Sequence, residues 1–371
     1  MVRDKKPIPS ENQAISMQRH SGQYDMNTQP TLSRRALLKG MAGVAAAGGV
    51  LPWLAGCQSQ LLPLSATGAP TPTPTPQGPT VVVYRGHKAG INAVAWSADS
   101  TLIASASDDG TVQVWKALTG QLVFSYAAQA GDARTVAWSP KGQRVASGHG
   151  DGVVRVWDAA TGGNLLAYRG HSAAINSVAW APDGGRIASG SLDHTAQVWN
   201  ATSGATLVTY TSHADFVNSV CWSPDSASVA SASVDDTVQV WQSATGNALL
   251  TYTGHTNGVL AVAWSPDGAH LVSGSYDTTA RVWGAASGKT AVVYHGHASF
   301  VDAVSWSPDS ARVLSGGWDG TAQIWNASAA NPPLFTYHGH TDYVQAVAWS
   351  PNGKYAVSAS RDRTAQVWRA S

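Results

Sequence analysis

Tryptophan recurs in this chain at an interval that leaves few folds open. Trp115, Trp157, Trp199, Trp241, Trp283, Trp325 and Trp368 follow one another at 42 residues five times and then at 43. A second series, Trp96, Trp138, Trp180, Trp222, Trp264, Trp306 and Trp349, keeps the same intervals, and so do Asp109, Asp151, Asp193, Asp235, Asp277, Asp319 and Asp362. Chance does not produce three series in one register. A repeat of this length is one supersecondary unit that buries its apolar faces only against its neighbours, so the 371 residues predict one continuous repeat body.

Each copy contains apolar runs of strand length, as in Ile91–Trp96, Leu102–Ser107, Thr111–Trp115 and Leu122–Tyr126, separated by turn residues such as Ser265–Gly268. The composition agrees: 37 Gly, 16 Trp and only 12% charged residues, with runs of Val, Ala, Ser and Thr where helices would favour Leu, Glu and Lys. Four short antiparallel strands per copy make one small sheet. The innermost run, as in Asn92–Trp96, is apolar on both alternating faces, which predicts a sheet sandwiched between neighbouring sheets.

The repeat resembles the WD40 family over residues 80–371. Gly-His precedes the first strand at Gly86-His87, Gly170-His171, Gly254-His255, Gly296-His297 and Gly339-His340, and a Trp-Asp or a variant of it ends the third strand, literally only at Trp157-Asp158. The resemblance implies an all-β fold, a seven-bladed β-propeller of four-stranded antiparallel blades. Its ends are complementary: the first unit opens with a lone outermost strand, Thr80–Arg85, and the last stops after Trp368 with three strands. Pairing the N-terminal and C-terminal strands would close the ring and remove its open edge.

One His, Ser, Asp and Trp per copy invites a metal site or a catalytic triad, but such sites need three or four groups converging within a few ångströms, not one set per blade. The resemblance implies instead a buried hydrogen-bonded tetrad in each blade. Its members are His87, Ser105, Asp109 and Trp115 in the first blade; Ser147, Asp151 and Trp157 in the second; His171, Ser189, Asp193 and Trp199 in the third; and His213, Ser231, Asp235 and Trp241 in the fourth. The fifth has His255, Ser273, Asp277 and Trp283, the sixth His297, Ser315, Asp319 and Trp325, and the seventh His340, Ser358, Asp362 and Trp368. The serine is chosen because this position, ten residues before the Trp, is Ser in all seven copies, whereas the position two later varies among Ser, Gly and His149. The second copy has Ala128-Gln129 in place of Gly-His and the fourth has Ser212 for Gly, so the second blade is expected to be the most mobile. No catalytic residue, metal ligand or cofactor is expected; the other histidines show no ligand spacing, and there is no phosphate loop or nucleophile elbow.

Residues 1–57 read as a leader. A positively charged stretch is followed by an apolar run from Met41 to Leu54, too short and too weakly apolar for an ordinary membrane span of roughly 20 residues. Ser33-Arg34-Arg35-Ala36-Leu37-Leu38-Lys39 resembles the twin-arginine (Tat) export signal, with Leu37 replacing the usual Phe, and Leu54-Ala55-Gly56-Cys57 resembles the lipobox of bacterial lipoproteins. These resemblances imply export through Arg34 and Arg35, cleavage before Cys57, lipidation of Cys57 and residence at the extracytoplasmic face of the cell membrane. Residues 58–79, with Thr71-Pro72-Thr73-Pro74-Thr75-Pro76, read as an extended stalk up to ~70 Å long. Cys221 stands where the other copies carry Ala, or Ser at Ser305, in a buried strand, and reads as a small apolar filler.

Outside the leader, sixteen basic and nineteen acidic residues show no basic run, which argues against a general nucleic-acid binder. Recognition is sought where the copies differ. Three residues after the His position stand Gly90, Asp132, Ala174, Phe216, Gly258, Phe300 and Tyr343; just before the tetrad Asp stand Asp108, Gly150, Leu192, Val234, Tyr276, Trp318 and Arg361. The bulky members fall in the last four copies, so Phe216, Tyr276, Phe300, Trp318, Tyr343 and Arg361 are the candidate partner-binding residues on one face. The expected function is a non-catalytic platform for protein or peptide partners, with membrane contact only through the lipid. The alternatives are a small-ligand receptor or enzyme using the central channel, and an intracellular sensor whose leader has been misread.

Overall fold

The structure, a computed structural model, describes residues 80–127, 131–329 and 332–370. Arg34, Arg35, Cys57 and Gln129, together with the stalk, lie outside the described residues. The described residues form 28 strands in seven four-stranded sheets. In the first blade β2 (Ile91–Trp96), β3 (Leu102–Ser107), β4 (Thr111–Lys116) and β5 (Leu122–Ala127) pair in chain order. The second blade is β6 (Ala133–Trp138), β7 (Arg144–His149), β8 (Val154–Asp158) and β9 (Asn164–Tyr168). Blades three to six repeat this pattern between Ile175 and Tyr337. The seventh is composite: β26 (Val344–Trp349), β27 (Tyr355–Ser360) and β28 (Ala365–Arg369) are completed by β1 (Thr80–Tyr84) from the other end of the chain. Its register, Thr80 opposite Trp368 and Tyr84 opposite Ala365, carries the same bulge before the Trp as Val198/Trp199 does in the third blade.

The propeller is a ring because each blade finishes its neighbour. Every third-strand Trp is fully buried, and in six blades the Tyr ending the preceding blade's outer strand stacks flat on it: Tyr84 on Trp115 at 4.4 Å, Tyr168 on Trp199 at 4.4 Å, Tyr337 on Trp368 at 4.8 Å. In five blades the Tyr hydroxyl donates to a Gln two residues before that Trp, as Tyr84 does to Gln113. This bond crowds the space a Cβ at Gly86 would need, although the fourth blade keeps the Tyr210–Gln239 bond with Ser212 at the matching position. The inner strands are tied as well. Trp138, Trp222 and Trp306 donate their indole N–H to the carbonyls of Ala95, Ala179 and Ala263 in the preceding blade, and Trp96 donates to Ala348 across the closure.

Turns at the opposite rim need one left-handed residue each. Four blades place Gly142, Gly184, Gly268 or Gly353 there; Ser100, Ser226 and Ser310 adopt φ near 60° instead. The strain at those serines is offset by a bond the glycines cannot make, since each Ser Oγ accepts a backbone N–H from the preceding blade: Asn352 to Ser100, Asp183 to Ser226 and Asp267 to Ser310. The Cys221 side chain packs against the core cluster of blades four and five, and burial pushes its thiol up to about 12.

Candidate partner-binding face

In six blades the His, Ser, Asp and Trp form one hydrogen-bonded chain. The imidazole Nδ1 lies 2.8–3.1 Å from the Asp carboxylate, Nε2 lies 2.7–2.9 Å from the Ser hydroxyl, and the Trp Nε1 lies 3.0–3.2 Å from that hydroxyl. Only one proton arrangement satisfies every group. Indole can only donate and carboxylate only accept, so Trp N–H donates to Ser, Ser O–H donates to Nε2, and Nδ1–H donates to Asp. Burial pushes the carboxyls of Asp235, Asp319 and Asp362 up, but the bonds from His213, His297 and His340 and from the neighbouring threonines outweigh it and hold them at about 2. Asp109, Asp193 and Asp277 are held well below the usual carboxylate range by the same balance.

The second blade is built differently. Asp151 is bound by Arg155, at 2.6 and 3.1 Å, where five of the other blades carry the Tyr-binding Gln at the Arg155 position. Ser147 bonds to His149 Nε2 at 2.9 Å, while His149 Nδ1 and Trp157 Nε1, both fully buried residues, have no partner. Ser147, Asp151 and Trp157 therefore do not form the chain expected of them. The reason is spatial. In the sixth blade the residue matching His149 is Gly317, and a Cβ there would lie 2.6 Å from His297 Nδ1. A large side chain at this position points into the place the loop imidazole fills elsewhere, so His149 supplies from a strand the ring that the Ala128-Gln129 sequence lacks. Val153, standing where the other blades have Thr, removes the hydroxyl that would have bonded the Asp. Sequence comparison left His149 as scatter and missed Val153 and Arg155. Their joint departure in one copy was the available signal. The Ser212 departure in the fourth blade, by contrast, leaves the chain intact: His213 bonds Asp235 and Ser231 at 2.8 and 2.7 Å.

In six blades these tetrads pin two loops at one rim, and a backbone bond locks each pair, as Trp318 N–H to Phe300 O and Arg361 N–H to Tyr343 O. Neighbouring blades interleave them. Phe300 lies against both Tyr276 of the preceding blade and Trp318 of its own; Tyr343 lies between Trp318 and Arg361 in the same way. Tyr276, Phe300, Trp318 and Tyr343 thus form one unbroken line of half-buried rings, with centroids 5.0, 5.1 and 4.6 Å apart, and the Arg361 guanidinium lies over Tyr343 at 5.7 Å. Glycines bound the line. A Cβ at Gly258 would lie 3.1 Å from Tyr276 and 3.2 Å from Val234, and one at Gly90 would lie 3.3 Å from Arg361. Phe216 stands apart from the line, edge-on to His194 at 5.1 Å, a neighbour that sequence comparison had not singled out.

The other arc of the rim is polar and laterally tied. Asn92 donates to Asp108 at 2.8 Å and to the Ala133 carbonyl; Arg134 binds Asp132 at 2.8 Å and Asn176 at 3.3 Å; Asn176 and Asn218 donate to the carbonyls of Val217 and Val259. All four of these innermost-strand side chains are buried. The matching residue beneath the aromatic line is Asp302, which accepts the Trp318 indole N–H at 3.4 Å. Among the described residues no three His, Cys, Asp or Glu side chains are grouped so as to hold a metal ion.

Comparison with known proteins agrees with this architecture. A stretch of 58 residues, 15% of this chain, is 43% identical to the ribosome biogenesis protein erb1 of Neurospora crassa and spans 7% of that protein's length. The WD40 signature, described as WD domain, G-beta repeat, matches residues 78–116, 120–158, 162–200, 204–242, 246–284, 288–326 and 331–369. With seven matches, one per blade and together covering well over half of the sequence, the chain belongs to the WD40 (WD domain, G-beta repeat) family.

Proposed function

We propose that this propeller is a non-catalytic platform that binds protein or peptide partners on the rim bearing Tyr276, Phe300, Trp318, Tyr343 and Arg361, with Phe216 at its margin. One observation carries the reading: ring meets ring, twice edge-on and once stacked, across three successive blades, at loop positions that are small or polar in the first two copies. Partly exposed aromatics with Arg supply large contact area at low conformational cost and dominate binding hot spots. The 58-residue match to a ribosome biogenesis protein does not extend that protein's role to this chain.

The setting we propose is a bacterial lipoprotein, exported through Arg34 and Arg35 and anchored by lipid on Cys57. The end of β1 at Tyr84 leads into the His87 loop, so its start at Thr80 lies at the rim opposite the aromatic line.

Crosslinking capture from membranes tests both parts. Alanine at Trp318 or Phe300 is expected to weaken the captured partner by about thirtyfold, roughly 2 kcal/mol, while Ser at Asp108 or Ala174 leaves it nearly unchanged. Equal losses on both arcs would sink the aromatic site. Cys57→Ser is expected to move the folded chain to the soluble fraction; retention after a salt wash would overturn the anchor.

A further inference from the structure

The proposed platform has a ligand of matching length within its own sequence. The ring centroids follow one another at 5.0, 5.1 and 4.6 Å, with the Arg361 guanidinium 5.7 Å beyond. The line is therefore at most about 20 Å long, and six residues in polyproline II geometry, at roughly 3.1 Å each, span about 19 Å. Thr71-Pro72-Thr73-Pro74-Thr75-Pro76 is such a six-residue run.

The chemistry matches as well as the length. Residues 58–79 contain no Asp, Glu, Lys or Arg, so they bring no charge that must be desolvated against apolar rings. A Pro-rich chain lacks internal hydrogen bonds, leaving every carbonyl free to accept, and its pyrrolidine rings pack on aromatic faces; grooves lined by aromatics recognise it for these reasons. Arg361, partly exposed at the end of the line, is a donor placed for such carbonyls. Gly258 and Gly90 flank the two ends of the line and carry no side chain that would project across the path of an extended segment.

The chain's own copy cannot reach. β1 starts at the rim opposite the aromatic line, and crossing the height of a five-residue strand takes about 17 Å. Pro76 is four residues from Thr80, a reach of about 14 Å even when fully extended.

We propose that the aromatic line binds the Thr71–Pro76 segment of a second copy, so that propellers associate head to tail through their stalks. The inference rests on the platform reading and narrows it to one occupant. Because the two surfaces differ, the contact is heterologous, and it makes chains or closed rings of copies, not only pairs.

The test uses the full chain and a synthetic peptide spanning Ala69–Gln77. Calorimetric titration is expected to show saturable binding that falls at least tenfold in Trp318→Ala and also in a peptide with Pro72, Pro74 and Pro76 changed to Ala. Asp108→Ser, on the polar arc, should bind as the parent does. Sedimentation of the full chain should show association that rises with concentration and disappears when the same prolines are changed to Ser. Thermal melting confirms that Trp318→Ala stays folded, and Trp318→Phe, which keeps a ring, should recover most of the binding. A chain that remains monomeric, or peptide binding indifferent to Trp318, overturns the proposal. If the peptide fails to bind while a crosslinked partner still depends on Trp318 and Phe300, only this inference falls; if neither depends on Trp318, the platform reading falls with it.

Discussion

The second blade and its six neighbours solve one problem in two ways. In the six, a loop His bridges a strand Ser to a turn Asp, and all four side chains find partners. In the second, His149 enters from the strand, Arg155 takes the Asp, and two fully buried groups, His149 Nδ1 and Trp157 Nε1, are left without partners. The comparison separates two duties that the regular tetrad performs together. Filling the space beside the Ser is done equally well by an imidazole from either side. Joining the loop to the turn is done by the loop His in six blades, and in the second the Asp is held by Arg155 instead. The looser stacking there agrees: Tyr126 lies 5.8 Å from Trp157, against 4.4 Å for Tyr168 on Trp199.

The largest expected effect comes from breaking a regular chain. Asp235→Ala strips the acceptor from His213, Thr237 and the Ala214 N–H and is expected to cost about 3–5 kcal/mol, whereas Asp151→Ala, which releases a partly exposed Arg155, is expected to cost about 1–2 kcal/mol. Urea unfolding of the two variants side by side decides it, and equal costs would erase the distinction between the blades.

Acid should find the second blade next. Burial foremost, then Arg155, holds His149 down at about 4, against an ordinary 6.5, with Asp151 and Asp132 opposing. Because the folded value is lowered, the unfolded chain takes up the proton first. The contribution is therefore complete above pH 6.5 and is lost as pH falls toward 4, by up to about 3 kcal/mol. Melting temperatures across that window should slope in the parent and flatten in His149→Gln. An unchanged slope would assign the acid sensitivity elsewhere.

Restoring the common pattern should have the smallest effect and the opposite sign. Ala128→Gly, Gln129→His, His149→Ser, Val153→Thr and Arg155→Gln, made together, give Trp157 and the Asp the partners found in other blades and should stabilise by about 1–2 kcal/mol. The single change His149→Ser should destabilise, since it leaves a void with no ring to fill it; a gain there would refute the exchange of one imidazole for the other.

Much of this was legible in the repeats. The Trp and Asp series located all seven sheets, and the lone strand at Thr80 with the three-stranded last unit ending after Trp368 foretold the composite blade. His149 could not be read that way, because nothing in a linear comparison says that its Cβ points at the seat of a histidine arriving from another loop. The rim shows the same limit. Phe300 and Trp318 appeared as members of two separate series, and only the interleaving of loops from neighbouring blades makes them consecutive rungs. Phe216 looked like their companion by type and position, yet Gly258 and Val234 intervene, and its ring meets His194 instead.

The composite seventh blade also sets the order of assembly. During synthesis β1 emerges first, and its only sheet partner, β28, emerges last, so the most distant pairing in the chain is the one the ring waits for. Until then Ile91, Val94 and Trp96 lack the Val357, Ala365 and Val367 side chains against which they are buried, and an apolar flank faces solvent. A nascent chain halted a few residues early would not lose a seventh of its stability. It would keep six nearly complete blades and never close, which makes the final strand the point at which quality control can tell a finished molecule from an unfinished one.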